Sequence, residues 1–281
     1  MNKLTIQRRA QVIACLCEGN GVRATARLCG LDKGTVSRLL VWIGEACTRY
    51  QDTALRNLSC KRVQVDEIWA FCGCKAKNLG PQHEGKNWGD IWTWTAIDPE
   101  SKLLLCWFIG TRDASAAYHF MHDVAGRLAN RVQLTSDGYK PYLAAVESAF
   151  GSEIDFAQLV KIYGATPDTP EARYSPAQCM GARKAAITGN PDFRHVSTSH
   201  AERLNLSIRM GNRRFTRLTN AHSKKAENHE HAFALFAMHY NFCKIHSGIR
   251  VTPAMEAGVT DHVWELSEVI ALLDCAAAKA A

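Results

Sequence analysis

Residues 62–71 read RVQVDEIWAF. Apolar and polar side chains alternate through Val63 and Val65, which predicts a β-strand with an acid pair, Asp66-Glu67, set within it. A polar loop rich in Gly and Lys (72–89) follows. A second strand is expected around 91–97, a turn at 98–101 and a third strand around 103–109. Ala117, Phe120, Met121, Val124 and Leu128 then recur on one face of a helix over 113–130. Residues 132–136 make a short buried strand that Asp137-Gly138 ends. A helix over 139–150 and a strand over 154–163, expected to be the last, complete the run.

Three consecutive strands, helix, strand, helix, strand and a later helix is the order of an α/β, ribonuclease-H-like core. Such a core is an antiparallel trio extended by parallel strands, with helices covering the faces. Upstream, Ile6, Val12, Ile13 and Leu16 recur at helical spacing over 5–19. A short helix over 22–29, a tight turn at 30–32 and a third helix over 33–44 complete the length pattern of a helix-turn-helix. Lys33, Thr35, Ser37 and Arg38 would lie on the early, outward part of the third helix, where base edges and phosphates are met. A plain three-helix bundle is the alternative. The expected division is a small all-α helix-turn-helix domain at 1–46, a helical tail and linker at 47–61, a catalytic domain at 62–250 and a helical tail at 251–281. Residues 164–198 hold four of the eight prolines and read as a substrate-facing insertion in the catalytic domain.

A chain of 281 residues with 47% hydrophobic and 22% charged content suits a globular protein with one large and one small domain. The net charge is +7, and it is concentrated. Residues 1–43 carry seven Lys or Arg against Glu18 and Asp32. Residues 203–225 carry seven, Arg203, Arg209, Arg213, Arg214, Arg217, Lys224 and Lys225, against none. Two basic segments fit two contacts with a polyanion, and a solvated basic face has the same composition. The 11 scattered cysteines, with no leader before them, read as reduced thiols in a cytoplasm. Cys72, Cys74 and His83 could hold zinc, although the spacing is short and no second pair answers it. No apolar run is long enough for a membrane span.

Three acids are expected at one rim of the core: Asp66 in the first strand, Asp137 at the tip of the fourth and Glu202 at the head of a helix that runs on from 199 and carries the seven cations of 203–225. Phosphodiester cleavage needs an activated nucleophile and a stabilised leaving oxygen, and a pair of Mg²⁺ ions about 3.5 to 4 Å apart supplies both. Mg²⁺ takes hard carboxylate oxygens and keeps several waters, so few protein ligands suffice. Each acid also has a plainer reading. Glu67 competes with Asp66, since neighbours on a strand face opposite ways. Asp137 precedes a glycine and suits a turn. Glu202 stands three residues after Ser199, the spacing of a capping box. His200 is placed either against a phosphate or in the scaffold. Trp92 and Trp94 are expected to pack, and Trp69 or Trp88 to stack on a frayed base.

The blocks VDEIWAF, TSDGY, SHAERLNLSIRMGNRRFTRLTNAHSKKAENH and YNFCKIHSGIRVTPAMEAG together resemble the DDE transposases of the bacterial insertion-sequence-one group. The resemblance covers the helix-turn-helix and nearly all of residues 60–260. It implies a Mg²⁺-dependent cut-and-join reaction, with Mn²⁺ able to substitute, on double-stranded DNA comprising transposon ends and target. It places the family's acids on Asp66, Asp137 and Glu202, and substrate contacts on Asn205 and Arg209. The zinc-binding cysteines of the family's founding members have no counterpart at the amino terminus. Joining two ends implies at least a dimer, associated with the nucleoid when bound to DNA. A DNA-binding regulator with an inert assembly domain is the rival expectation, and a nuclease that hydrolyses without joining is a third.

Overall fold

The structure is a computed structural model that describes residues 4–164 and 179–278. Three helices open the chain: α1 (Ile6–Cys17), α2 (Val22–Cys29) and α3 (Lys33–Ala54). Thr5 caps α1 through its hydroxyl, and Asp32 caps α3 by accepting from the Gly34 amide at 2.7 Å. Between α2 and α3 the chain turns on Gly30 at φ 60°, a left-handed conformation that favours glycine. Val12, Ala26, Cys29, Val36 and Leu39 form a small core among the three helices.

Helix α3 does not stop near residue 44. Leu40, Ile43, Cys47 and Gln51 keep a buried stripe along it, and it lies against α7 (Ala226–Met238). Gly44 meets His231 so closely that an added Cβ would fall 2.6 Å from the His231 Cα. The Gln51 amide donates to Ala234 O at 3.2 Å. The expected boundary at 46/47 therefore falls inside one continuous, docked helix, and the expected linker is helical as far as Ala54.

The strands are β1 (Arg62–Cys72), β2 (Gly89–Ile97), β3 (Leu104–Gly110), β4 (Gln133–Asp137), β5 (Asp155–Tyr163) and β6 (Cys179–Thr188). They form one sheet in the order β3-β2-β1-β4-β5-β6. The first three pair antiparallel, and β4 and β5 run parallel to β1. That is the expected antiparallel trio with its parallel extension. The expectation that β5 closes the sheet is not met, because β6 pairs antiparallel to it. Part of the expected insertion is thus an edge strand, and residues 165–178 lie outside the described residues.

Both faces of the sheet are covered. Val63 and Val65 pack with Trp94, Phe120 and Tyr142, beneath α4 (Ala114–Ala125) and α5 (Pro141–Phe150). Ile68 and Ala70, of the opposite parity, pack with Ala201, Leu204 and Ile208 of α6 (Ser199–Gly211) and with Phe233 of α7. Two further helices, α8 (Pro253–Glu256) and α9 (Leu266–Ala278), end the described chain. Among the described residues no helix is long and apolar enough to cross a membrane.

Helix α6 ends at Gly211, where the Asn212 side chain accepts from the Arg214 amide and starts a separate tight turn. Arg213, Arg214, Arg217, Lys224 and Lys225 therefore lie on the connection to α7, and only Arg203 and Arg209 ride on the helix as expected. The cap is Thr198, not Ser199, and its hydroxyl donates to the Glu202 carboxylate at 2.6 Å.

Candidate active site

The register of the β1–β4 pair sets Gln64 opposite Thr135. Two residues on, Asp66 reaches the level of Asp137, the last residue of β4. Because β4 stops there, carboxylates from both faces of β1 reach the strand tip. Asp66, Glu67 and Asp137 each offer an oxygen within 4.8 Å of the others, the one such acidic group among the described residues. Glu67 thus joins the site instead of pointing away from it.

Asp66 is fixed at both oxygens. Oδ1 accepts from the Glu67 amide at 2.9 Å, and Oδ2 accepts from the Asn205 side chain at 2.7 Å. Burial, then the neighbouring Glu67 charge, then Asp137 and Glu202 push its carboxyl up to about 7. Such crowding is what a bound cation would relieve. Asp137 makes a local turn as well, accepting from the Tyr139 amide at 2.9 Å, so its turn role and its place in the cluster coexist.

Glu67 is buried, with 2% of its side chain exposed. Burial, and then the Asp137 charge, push its carboxyl up despite the nearby Tyr142 hydroxyl and Arg112, whose Nε donates to Oε2 at 2.9 Å. Its other oxygen, Oε1, has no hydrogen-bond partner among the described residues. The Arg112 guanidinium in turn lies 3.9 Å from the Tyr139 ring centroid and 5.0 Å from that of Trp92. Trp94 is fully buried, whereas Trp92 is turned toward this arginine.

Glu202 lies outside the three-acid group. Its Oε1 takes the Lys161 ammonium of β5 at 2.5 Å and the Thr198 hydroxyl. Burial alone would raise its carboxyl, but these two donors hold it below the usual carboxylate range. The helix itself is pinned to β1 by Gln64, whose side-chain oxygen accepts from the His200 and Ala201 amides at 2.9 and 3.2 Å. This anchor sets α6 so that Asn205, three residues beyond Glu202, meets Asp66. Arg209, one turn further on, is half-buried, and its Nε has no hydrogen-bond partner among the described residues. Burial, and then Arg217, lower its pKa, while Asp66 opposes them.

No family model matches the chain, and no curated protein matches it. Among solved structures it is similar to a piggyBac transposase synaptic complex with hairpin DNA, at 9% identity and a TM-score of 0.37 over 92% of this chain and 57% of that one. A pre-cleavage Mos1 transpososome gives 11% and 0.20 over 56% of this chain and 60% of that one. The Mos1 strand transfer complex gives 12% and 0.24 over 84% and 78%. This chain therefore spans less than two thirds of the first two. Scores this low fix neither its fold nor its chemistry.

The remaining expectations divide. His200 sits with its Nδ1 3.4 Å from the Lys102 ammonium. The recognition set is split: Lys33 and Ser37 line a cleft facing 211–224, whereas Thr35 and Arg38 lie on another face of α3 and hydrogen-bond each other at 3.3 Å. Trp69 and Trp88 stack with Lys75 and Lys86. Cys72, Cys74 and His83 form no metal-ligand group among the described residues. Cys72 is buried, Cys74 donates to Asn78 O, and His83 Nδ1 accepts from the Gly80 amide. Sequence reasoning missed Gln64, Arg112 and Lys161, which stand in strands or at a strand exit with no motif to mark them.

Proposed function

We propose that this chain is a DNA strand-transfer enzyme of the DDE transposase kind, of the insertion-sequence-one group, with a ribonuclease-H-like catalytic domain and an amino-terminal helix-turn-helix. One observation carries the reading: Asp66 and Asp137, 71 residues apart in sequence, meet at one strand tip beside the buried carboxylate of Glu67. The strand order, an antiparallel trio extended by parallel strands, supports the domain assignment. An all-carboxylate donor set suits Mg²⁺ or Mn²⁺. Held by Asp66 and Asp137, with Glu202 completing the set once it leaves Lys161, such an ion would activate the attacking oxygen and stabilise the leaving one.

The protein's own groups do the rest. Asn205 orients Asp66 through Oδ2. Arg209, whose Nε has no partner among the described residues, is placed to hold a phosphodiester along the same helix face. Arg203, Arg213 and Arg217 extend the cationic surface from α6 into the following loop. The substrates are the inverted ends of an element and a target duplex, and joining two ends requires at least a dimer.

The pairing of Glu202 with Lys161 favours a second reading, a DNA-binding regulator with an inert domain. Incubating the protein with labelled end DNA and Mg²⁺, with and without Asp137→Asn, separates them. Joined products that the substitution abolishes support strand transfer. End binding without cleavage by the unsubstituted protein refutes it, and cleavage without joining leaves a nuclease.

A further inference from the structure

A second site lies at the far end of α6. There the α2–α3 corner and the loop after Gly211 enclose a cleft of about 830 Å³. Arg23, Arg27 and Lys33 border it from one side, and Arg213, Arg214 and Lys224 from the other. No acid is among the described residues that line it. All but Arg214 are exposed. The floor is apolar, built from Leu16, Leu40, Leu235 and Phe236. Gly211, at the carboxyl end of α6, is also part of the lining. From Glu202 to Gly211 is nine residues, about 14 Å along the helix, and Arg209 lies between.

We propose that this cleft grips a single DNA strand leading to or from the acids, its phosphates on the two cationic rims and its sugars and bases over the apolar floor. The rims supply what a polyanion needs, and an apolar floor accepts any base face. The volume lies within the range of small-molecule sites, about 300 to 1,000 Å³. It therefore suits a short run of one strand. The two basic segments of the sequence thus converge on one ligand. The inference rests on the proposed DNA chemistry for its choice of DNA, but its geometry is independent of the carboxylates.

The test is binding, in metal-free buffer, of a fluorescein-labelled oligothymidylate and of a labelled duplex of equal length to the full chain. The comparison is with a triple variant, Arg23→Gln, Arg27→Gln and Lys224→Gln, whose three side chains are exposed. Loss of three phosphate contacts should weaken single-strand binding at least tenfold. It should also reduce the slope of log affinity against log salt by about 2, at about 0.7 per phosphate on a single strand. Duplex binding should fall by much less. The charge-keeping variant Arg23→Lys, Arg27→Lys, Lys224→Arg should bind nearly as well as the unsubstituted chain, with thermal melting unchanged in both. Unchanged single-strand affinity and slope overturn the proposal, as does an equal loss on duplex and single strand. Because no cleavage is read, strand binding of this kind by a chain that neither cuts nor joins would refute the enzyme reading and leave the cleft standing.

Discussion

Replacing Arg112 by Met strands a buried acid. Glu67, with 2% of its side chain exposed, would lose the one cation that donates to it among the described residues. Removing one partner of a buried pair typically costs about 3 to 5 kcal/mol, but protonation offers Glu67 an escape. From an ordinary pKa of about 4.3, protonating it at pH 7 costs about 1.36 × 2.7, or about 3.7 kcal/mol, which caps the penalty. At pH 5 the same cap is about 1 kcal/mol. Lost stacking on Tyr139 and Trp92 adds about 1 kcal/mol at either pH. The variant should therefore be less stable than the parent by up to about 5 kcal/mol at pH 7 and about 2 at pH 5. The sign follows from linkage: a carboxyl whose folded pKa is raised stabilises below its unfolded pKa, and that stability is lost as pH rises through the folded value. Urea unfolding with chelator at both pH values measures it. On a Glu67→Gln background Arg112→Met should cost only the stacking, at both pH values. A loss equal at pH 5 and pH 7 in the Glu67 protein would refute the reasoning.

Lys161→Met should free Glu202. The pair is partly exposed, at 33% and 44%, so it is worth about 0.4 to 1 kcal/mol, and Mn²⁺ should bind about twofold to fivefold more tightly by titration calorimetry. Unchanged affinity would remove Glu202 from the ligand set. His229, bonded to Ser223 and pressed on Phe215, is held down to about 3 by burial and by Arg214. It is neutral when folded, and the unfolded chain takes up its proton below about 6.5. Stability should therefore fall as pH drops from about 6.5 towards 3, by at most about 1.4 kcal/mol per unit, and His229→Gln should flatten that slope in urea midpoints. Gly44→Ala should destabilise by about 1 to 3 kcal/mol, because the new methyl meets His231 backbone that cannot yield easily. A gain from helix propensity alone, up to about 1 kcal/mol, would show that α3 and α7 can part.

Much of this was legible in the sequence where a side-chain period reported burial. Strands β1 to β5 announced themselves because their faces are covered, and Ala117, Phe120, Met121 and Val124 marked the inner face of α4. Strand β6 carried no such sign, since almost every side chain along it is exposed and no alternation is required. The end of α6 was hidden by a cationic run that composition treats as uniform, whereas Asn212 breaks it. At the site, Asp66 and Asp137 come together as the sequence leads one to expect, and so does Glu67, against which the parity of strand residues argues. Parity fails as a guide at a strand tip, where β4 has ended and both faces of β1 meet the same space. The partners Gln64, Arg112 and Lys161 needed three-dimensional register to be seen at all.

Helix α3 runs from the cleft at Lys33 to Ala54 without a joint, 22 residues or about 33 Å, and Gly44 is seated on α7. It works as a ruler. On the proposed function, whatever DNA segment the amino-terminal helices select is held at a set offset from Asp66 and Asp137, so the distance between bound sequence and cut is a property of helix rise. Inserting one residue into α3 would turn the amino-terminal helices by about 100° and advance them by about 1.5 Å, changing where a cut falls without touching either the reading or the cutting residues.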